Sequence, residues 1–326
     1  MPSPNSTFTE IVTTTLREHK EKLTDNISKN NALLARLTAK GKIDVIDGGY
    51  EIAIPLEYAE NSTYQRYSGY DTLNVSGSDV FTAAKFDWKQ SAVHVTASGL
   101  ELRQNSGKNQ LIKLAKSRLM NALRTAKNNM SGDVYSDGSL SNQMNGLQAL
   151  VADAGTGTVG GIVSGTYTFW KNVVQSAASP LQGGGAIIPS ATTIESLMLP
   201  LWLELTRGGD QPDLIVSSND YFTFFEQSQL SLKRYNDTQM GEAGFTSLKY
   251  KSADVIFDGG TKGGGIPSAH MYFLNTDYLG LTVHNDANWT ELDEKMSVNQ
   301  DAEVIPIIWQ GNLTVSNRSL QGVLKS

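Results

Sequence analysis

Between Ile43 and Val95 the sequence twice falls into strict two-residue alternation, and that constrains the fold more than any other feature. Ile43 and Val45 precede Gly48-Gly49, and Tyr50, Ile52, Ile54 and Leu56 follow it, with Asp44 and Glu51 on the alternate positions. Residues 43–56 therefore predict a hairpin about Gly48-Gly49, with one apolar and one wet face. A second run has Ala84, Phe86 and Trp88 alternating with Lys85, Asp87 and Lys89, followed by Val93 and Val95 around His94. It predicts a further strand pair. The linking residues 57–78 are polar and rich in Tyr, Ser, Asn and Gly. An isolated two-stranded ribbon is marginal in water, so so long an excursion must lie on a neighbouring surface, and a second subunit would supply one.

What flanks the ribbon is helical. Residues 6–40 carry Phe8, Val12, Leu16, Leu23, Ile27, Leu34 and Leu37 at helical spacing, with Ser6 or Thr7 as cap and Gly41 as stop. So polar a segment has little to bury by itself and reads as an arm. The clearest helix runs from Gly107 to Asn129, with Leu111, Ala115, Leu119, Ala122 and Ala126 on one stripe. At about 100° per residue, Lys113, Lys116, Arg124 and Lys127 fall within an arc of roughly 80° on the other side. No acidic residue interrupts the stretch from Lys108 to Lys127. That face is either simply solvated or a row of point charges that would hold phosphates without reading sequence. Arg118 sits at the edge of the apolar stripe and needs a carboxylate or backbone partner if buried.

Residues 131–190 are rich in Gly, Ser and Asn and read as loops around the apolar island at 146–151, a short strand or turn. Helical spacing returns at 192–207, ended by Gly208-Gly209. Asp213 to Ser217 predicts a short strand before a helix carrying Tyr221, Phe222, Phe224 and Phe225. Strands are predicted at Phe245–Phe257 and Met271–Val283, then as a pair, Val304–Trp309 and Leu313–Val315, turning at Gly311-Asn312. The fold class is α+β.

Catalytic motifs are missing or out of context. Gly155 to Gly160 matches G-x-G-x-x-G, but a Gly-broken β-like stretch follows it and the next acid is Glu195, so it reads as a loop. Gly41-Lys42 and Gly107-Lys108 lack the following Ser or Thr of a phosphate-binding loop. The four histidines, at 19, 94, 270 and 284, form no metal-binding pair, there is no cysteine, and no G-x-S-x-G elbow occurs. Glu291-Leu292-Asp293-Glu294 lacks the ligand spacing of a calcium loop. Neither a cofactor nor a metal is expected, and the chain does not read as an enzyme. The N-terminus lacks the apolar core of a secretory signal, and no run approaches the about 18 apolar residues of a membrane span.

Charge divides the chain. Residues 1–130 hold 17 Lys and Arg against 13 Asp and Glu, net +4, and residues 131–326 hold 10 against 20, net −10. The two regions should meet different partners.

The order of these elements resembles the major capsid proteins of tailed bacteriophages, which share the Hong Kong 97 fold. On that resemblance residues 1–42 are the N-terminal arm and 43–98 the extended E-loop. Residues 99–145 open the P domain, with spine helix 107–129, residues 146–285 form the A domain, and 286–326 are the C-terminal P-domain strands. Gly146-Leu147-Gln148-Ala149-Leu150 is similar to the turn preceding the A domain, and Met271 to Asn275 to the strand returning from it. The resemblance implies self-assembly into pentamers and hexamers forming an icosahedral shell around double-stranded DNA, with assembly in a host bacterial cytoplasm and the virion as destination. It further implies a separate scaffolding protein and a portal as partners. Phe8, Val12, Leu16, Tyr50, Ile52, Ile54, Phe86 and Trp88 would make the inter-subunit contacts, and Lys113, Lys116, Arg124 and Lys127 would face DNA. An encapsulin-like nanocompartment is the alternative from the same fold; a β-rich adhesin or a hydrolase fits less of the chain.

Overall fold

The computed structural model describes residues 31–104, 108–229, 247–260, 264–293, 295–296 and 300–326. Most of the arm predicted at 6–40 lies outside them; its last part is helix α1 (Ala32–Ala39), whose cap Asn31 accepts a hydrogen bond from the Leu34 amide. Strands β1 (Ile43–Ile46), β2 (Ile52–Glu57), β3 (Phe81–Phe86) and β4 (Lys89–Ser98) follow. Then come α2 (Gly99–Gln104), the 27-residue α3 (Lys108–Val134) and the single turn α4 (Leu147–Leu150). A small hairpin, β5 (Thr158–Val159) and β6 (Ile162–Val163), precedes β7 (Val173–Ser176). Helix α5 (Ile194–Glu204), β8 (Leu214–Ser217) and α6 (Asn219–Gln229) come next. The chain closes with β9 (Ser247–Tyr250), β10 (Ala253–Phe257), β11 (His270–Leu274), β12 (Leu279–Glu291), β13 (Lys295–Met296), β14 (Ala302–Val315) and β15 (Gly322–Lys325). Among the described residues no helix is long and apolar enough to cross a membrane.

Two sheets organise these elements. A six-stranded sheet has the order β7-β15-β11-β8-β10-β9. Helices α5 and α6 cover one face, where Leu197, Leu201, Tyr221 and Phe225 meet Ile215, Met271, Phe273 and Leu324. The alternate residues Leu214, Val216, Tyr272 and Leu274 join the opposite core with Leu33 and Leu37 of α1. Burial on both faces explains why Leu214-Ile215-Val216 and Met271 to Leu274 are unbroken apolar runs. A second, five-stranded sheet has the path β1-β12-β14-β13, with β4 on the other side of β14. Residues Leu281, Val283 and Leu313 tie it into the same core. Helix α3 lies against its β4 edge, with Ala122 buried beside Val95 and Ile307.

Strand positions agree closely with the alternation, but several pairings do not. Gly48-Gly49 is a corner and not a hairpin turn: β1 pairs in parallel with β12, Ile43 opposite Leu281, while β2 pairs with β3. Nor does β3 pair with β4; the chain swings at Asp87-Trp88, and β4 runs antiparallel to β14. Gly311-Asn312 is no turn, because β14 passes straight through it. There the glycine makes room: a Cβ at 311 would lie 2.5 Å from the Thr282 carbonyl oxygen and 2.8 Å from the Trp309 ring. The island at 146–151 is a helical turn, with the Gly146 site 2.3 Å from the backbone of Ser136. Finally, β12 crosses the expected boundary at 285, and β15 belongs to the six-stranded sheet and not with β12 and β14.

Candidate assembly surfaces

The ribbon has two ends of opposite character. At its base, Ile52, Leu56, Ala84 and Phe86 are buried in this chain's own core with Val159, Ile162 and Trp170. Gly160 fits beneath it because a Cβ would come within 2.9 Å of the Ala84 methyl, and its carbonyl accepts the Lys85 amide at 2.9 Å. Lys85 also pairs with Glu51 across the ladder, Nζ to Oε1 2.6 Å. Ile52 and Phe86, expected at an inter-subunit contact, thus spend their apolar surface inside the chain, since the β5–β6 hairpin rises to cover them. Ile54 is half-buried; Trp88 donates its indole N–H to the Gly49 carbonyl at 2.9 Å, with its ring 5.7 Å from His284. Tyr50 is fully exposed. Phe8, Val12 and Leu16 lie outside the described residues.

Beyond the last backbone-bonded pair, Tyr58 amide to Val80 carbonyl, the ribbon becomes a loop held by polar side-chain bonds. Gln65 spans to the Thr72 carbonyl, the Ser68 amide donates to Asp71, and Ser62 meets Ser78. Its apolar groups face outward: Tyr64, Tyr67, Tyr70 and Val75 are 65–106% exposed. The sequence marks 57–78 as a polar, Tyr-rich link without assigning it a contact; three tyrosines within seven residues, in a segment with no helical or strand period to bury them, were the signal available.

The second surface is α3. Lys127 is exposed and Arg124 half-buried; the side chains of Lys113 and Lys116 lie outside those described. Arg118 has both partners its position demands: two bonds of 3.0 Å to the Glu101 carboxylate and one of 2.8 Å to the Thr96 carbonyl. The guanidinium, with the Ser98 amide, holds the Glu101 carboxyl down at about 2. This fork fastens α2 and β4 to α3.

The described chain begins on a third feature, a buried polar hub. Asp258 accepts hydrogen bonds from the Ala32 amide (2.9 Å), the Tyr135 hydroxyl (2.6 Å) and the Gly264 amide (2.6 Å). Burial pushes its carboxyl up despite these donors, and burial beside Asp258 raises Tyr135 as well. Next to it, Arg36 and Lys40 of α1 pair with Asp213 at 3.1 Å each, and Arg36 reaches Asp254 at 3.3 Å. Helix α1 is therefore pinned at once to α3, where the Asn31 amide group meets Ser131, and to the six-stranded sheet. Replacing Asp258 by Ala strands three buried donors and should cost about 3 kcal/mol, a melting temperature lower by roughly 5 °C or more. Tyr135→Phe, removing one donor, should cost about 1 kcal/mol; equal losses for the two variants would deny the carboxylate its central place.

No protein-family model matches the chain, and no curated protein does. Solved structures match over nearly its whole length. The capsid asymmetric unit of cyanophage A-1(L) superposes with a TM-score of 0.69 at 14% identity, covering 94% of this chain and 95% of that one. The capsid of a native GTA particle gives 0.55 at 10% identity, covering 94% and 95%. A holo-SrpI encapsulin complex from Synechococcus elongatus gives 0.51 at 8%, covering 95% and 94%. The ribbon, the long helix and the two sheets thus stand in the order and arrangement of capsid chains, and this chain has the Hong Kong 97-type fold.

Proposed function

We propose that the chain is the major capsid protein of a tailed bacteriophage, a structural shell subunit with no catalytic role. One observation carries the reading: the ribbon is rooted in its own core, yet its tip projects apolar side chains that no described residue of the chain covers. Patches of this kind mark protein–protein contacts, and closed symmetric assembly covers every copy's tip with a neighbour. The likeness to capsid chains over the full length supports it, and the cyanophage capsid superposes better than the encapsulin. On this reading pentamers and hexamers close into an icosahedral shell around double-stranded DNA, guided by a separate scaffolding protein and a portal, in the cytoplasm of a host bacterium.

The basic face of α3 is assigned to the DNA side, where Lys113, Lys116, Arg124 and Lys127 would touch phosphates without sequence preference. Electron microscopy of the purified full chain should show closed particles; a monomer by light scattering at every concentration overturns the proposal. Particles loaded with protein and free of nucleic acid would favour the encapsulin reading. Reversing the four basic charges should leave shells intact and lower DNA retention; unchanged retention removes the DNA-side assignment.

A further inference from the structure

His270, at the start of β11, is held between two acceptors. Its Nε2 lies 2.9 Å from Asp153 Oδ2, and its Nδ1 lies 2.7 Å from the Ser268 carbonyl oxygen. A neutral imidazole carries one donor and one acceptor nitrogen, so either tautomer would leave a lone pair facing a lone pair. Only the imidazolium satisfies both contacts. The other groups around the ring are Lys325, opposite His270 in the β11–β15 ladder, and the Tyr272 ring, stacked at 6.1 Å. Asp220 holds the adjoining Ala269 amide. Burial and Lys325 oppose the charge on the ring, but the bonds to Asp153 and to the Ser268 carbonyl outweigh them, and the pKa of His270 is raised. The same hydrogen bond lowers Asp153, so the two groups agree on an ion pair.

What Asp153 belongs to gives the pair its meaning. It follows α4 in the segment 146–170, which carries the base of the ribbon: the Gly160 carbonyl takes the Lys85 amide, and Trp170 donates to the Val159 carbonyl. The Ala152 carbonyl is tied in turn to the Asn172 side chain at 2.9 Å. We infer that His270 and Asp153 form a pH-operated latch, which locks the ribbon-bearing segment to the six-stranded sheet while the imidazole is protonated and loosens it on deprotonation.

The raised His270 pKa fixes the direction. The latch is fully closed below the ordinary histidine pKa of 6.5 and is lost as pH rises through the higher folded value. On the acid side it fails only as pH falls through the lowered pKa of Asp153. Mild acid therefore stiffens the ribbon base and mild alkali frees it.

Hydrogen exchange of the full, unassembled chain tests this without reference to the shell reading. Between pH 6 and pH 8.5, protection factors corrected for intrinsic rate should fall several-fold in peptides containing the Lys85 and Ser164 amides and stay constant in α6. In His270→Gln, which cannot charge, the profile should be flat; in Asp153→Asn the drop should shift to lower pH, because the charge partner is gone. A flat profile in the unsubstituted chain, or the same slope in both variants, overturns the latch.

Discussion

Substituting Arg318 by Met should lower stability by about 3 kcal/mol, and by Ala by about 5 kcal/mol, a fall in melting temperature of roughly 10 °C for the alanine variant. Arg318 is completely buried, and among the described residues no carboxylate pairs with its guanidinium. It donates instead to the Leu150 carbonyl at 2.6 Å, the Trp170 carbonyl at 3.1 Å and the Ser164 hydroxyl at 3.2 Å. Desolvation alone pulls its pKa down to about 10, so the group stays charged at neutral pH. The bonds join three points of the segment 146–170 through one planar group. Swapping a buried ion pair for apolar residues can be harmless when both partners go. Here the acceptors, two backbone carbonyls and the Ser164 hydroxyl, remain, so Met fills the volume and leaves the carbonyls unpaired, while Ala adds a cavity. Thermal melting of the unassembled chain decides: a Met variant within about 2 °C of the parent would show that the carbonyls find other donors.

Excising residues 59–79 and joining Tyr58 to Val80 through Asn-Gly should abolish shell formation and leave the subunit folded. The excision ends at the last bonded pair of the ribbon, Tyr58 with Val80, and Asn-Gly is a favoured two-residue link for twisted strands. None of the removed side chains is buried. Melting temperature should move by less than about 3 °C, within what surface changes produce. Particle yield by electron microscopy should fall to background. Shells at the parental yield would break the link between the tip and assembly, while a large loss of stability would show that the loop supports the core after all.

Helices and strands were largely legible in the sequence, because their signals are local. The stripe of α3, the two-faced apolar runs of β8 and β11 and the aromatic face of α6 announce themselves within a dozen residues. Pairing was not legible. Ile43 meets Leu281 and Lys89 meets Gly311, and no pattern within either strand names so distant a partner. Gly-Gly and Gly-Asn steps misled for a specific reason: glycine serves a tight turn and a close approach equally well, and at Gly311 it serves the second. The ribbon's site residues divided the same way. Alternation put Ile52 and Phe86 on the ribbon's apolar face, which pointed to a neighbouring subunit because alternation could not say that the covering surface would come from residues 159–170 of the same chain. Tyr64, Tyr67 and Tyr70 counted only as part of a polar, Tyr-rich link, because a structured loop has no period from which to read an exposed patch.

The place of β15 sets a clock on folding. It lies second in the six-stranded sheet, parallel to β7 and antiparallel to β11, so residues 173 and 273 both wait for Gly322. During synthesis the α5- and α6-covered layer must stay divided between β7 and β11 until nearly all 326 residues have been made. Contacts across such sequence distances form slowly, since the loop must close before any bond rewards it. The ribbon tip, by contrast, is stitched by bonds that span no more than 16 residues and can form early. A nascent chain would then display its adhesive loop before owning a finished body, so crowded polysomes are where aberrant association should begin.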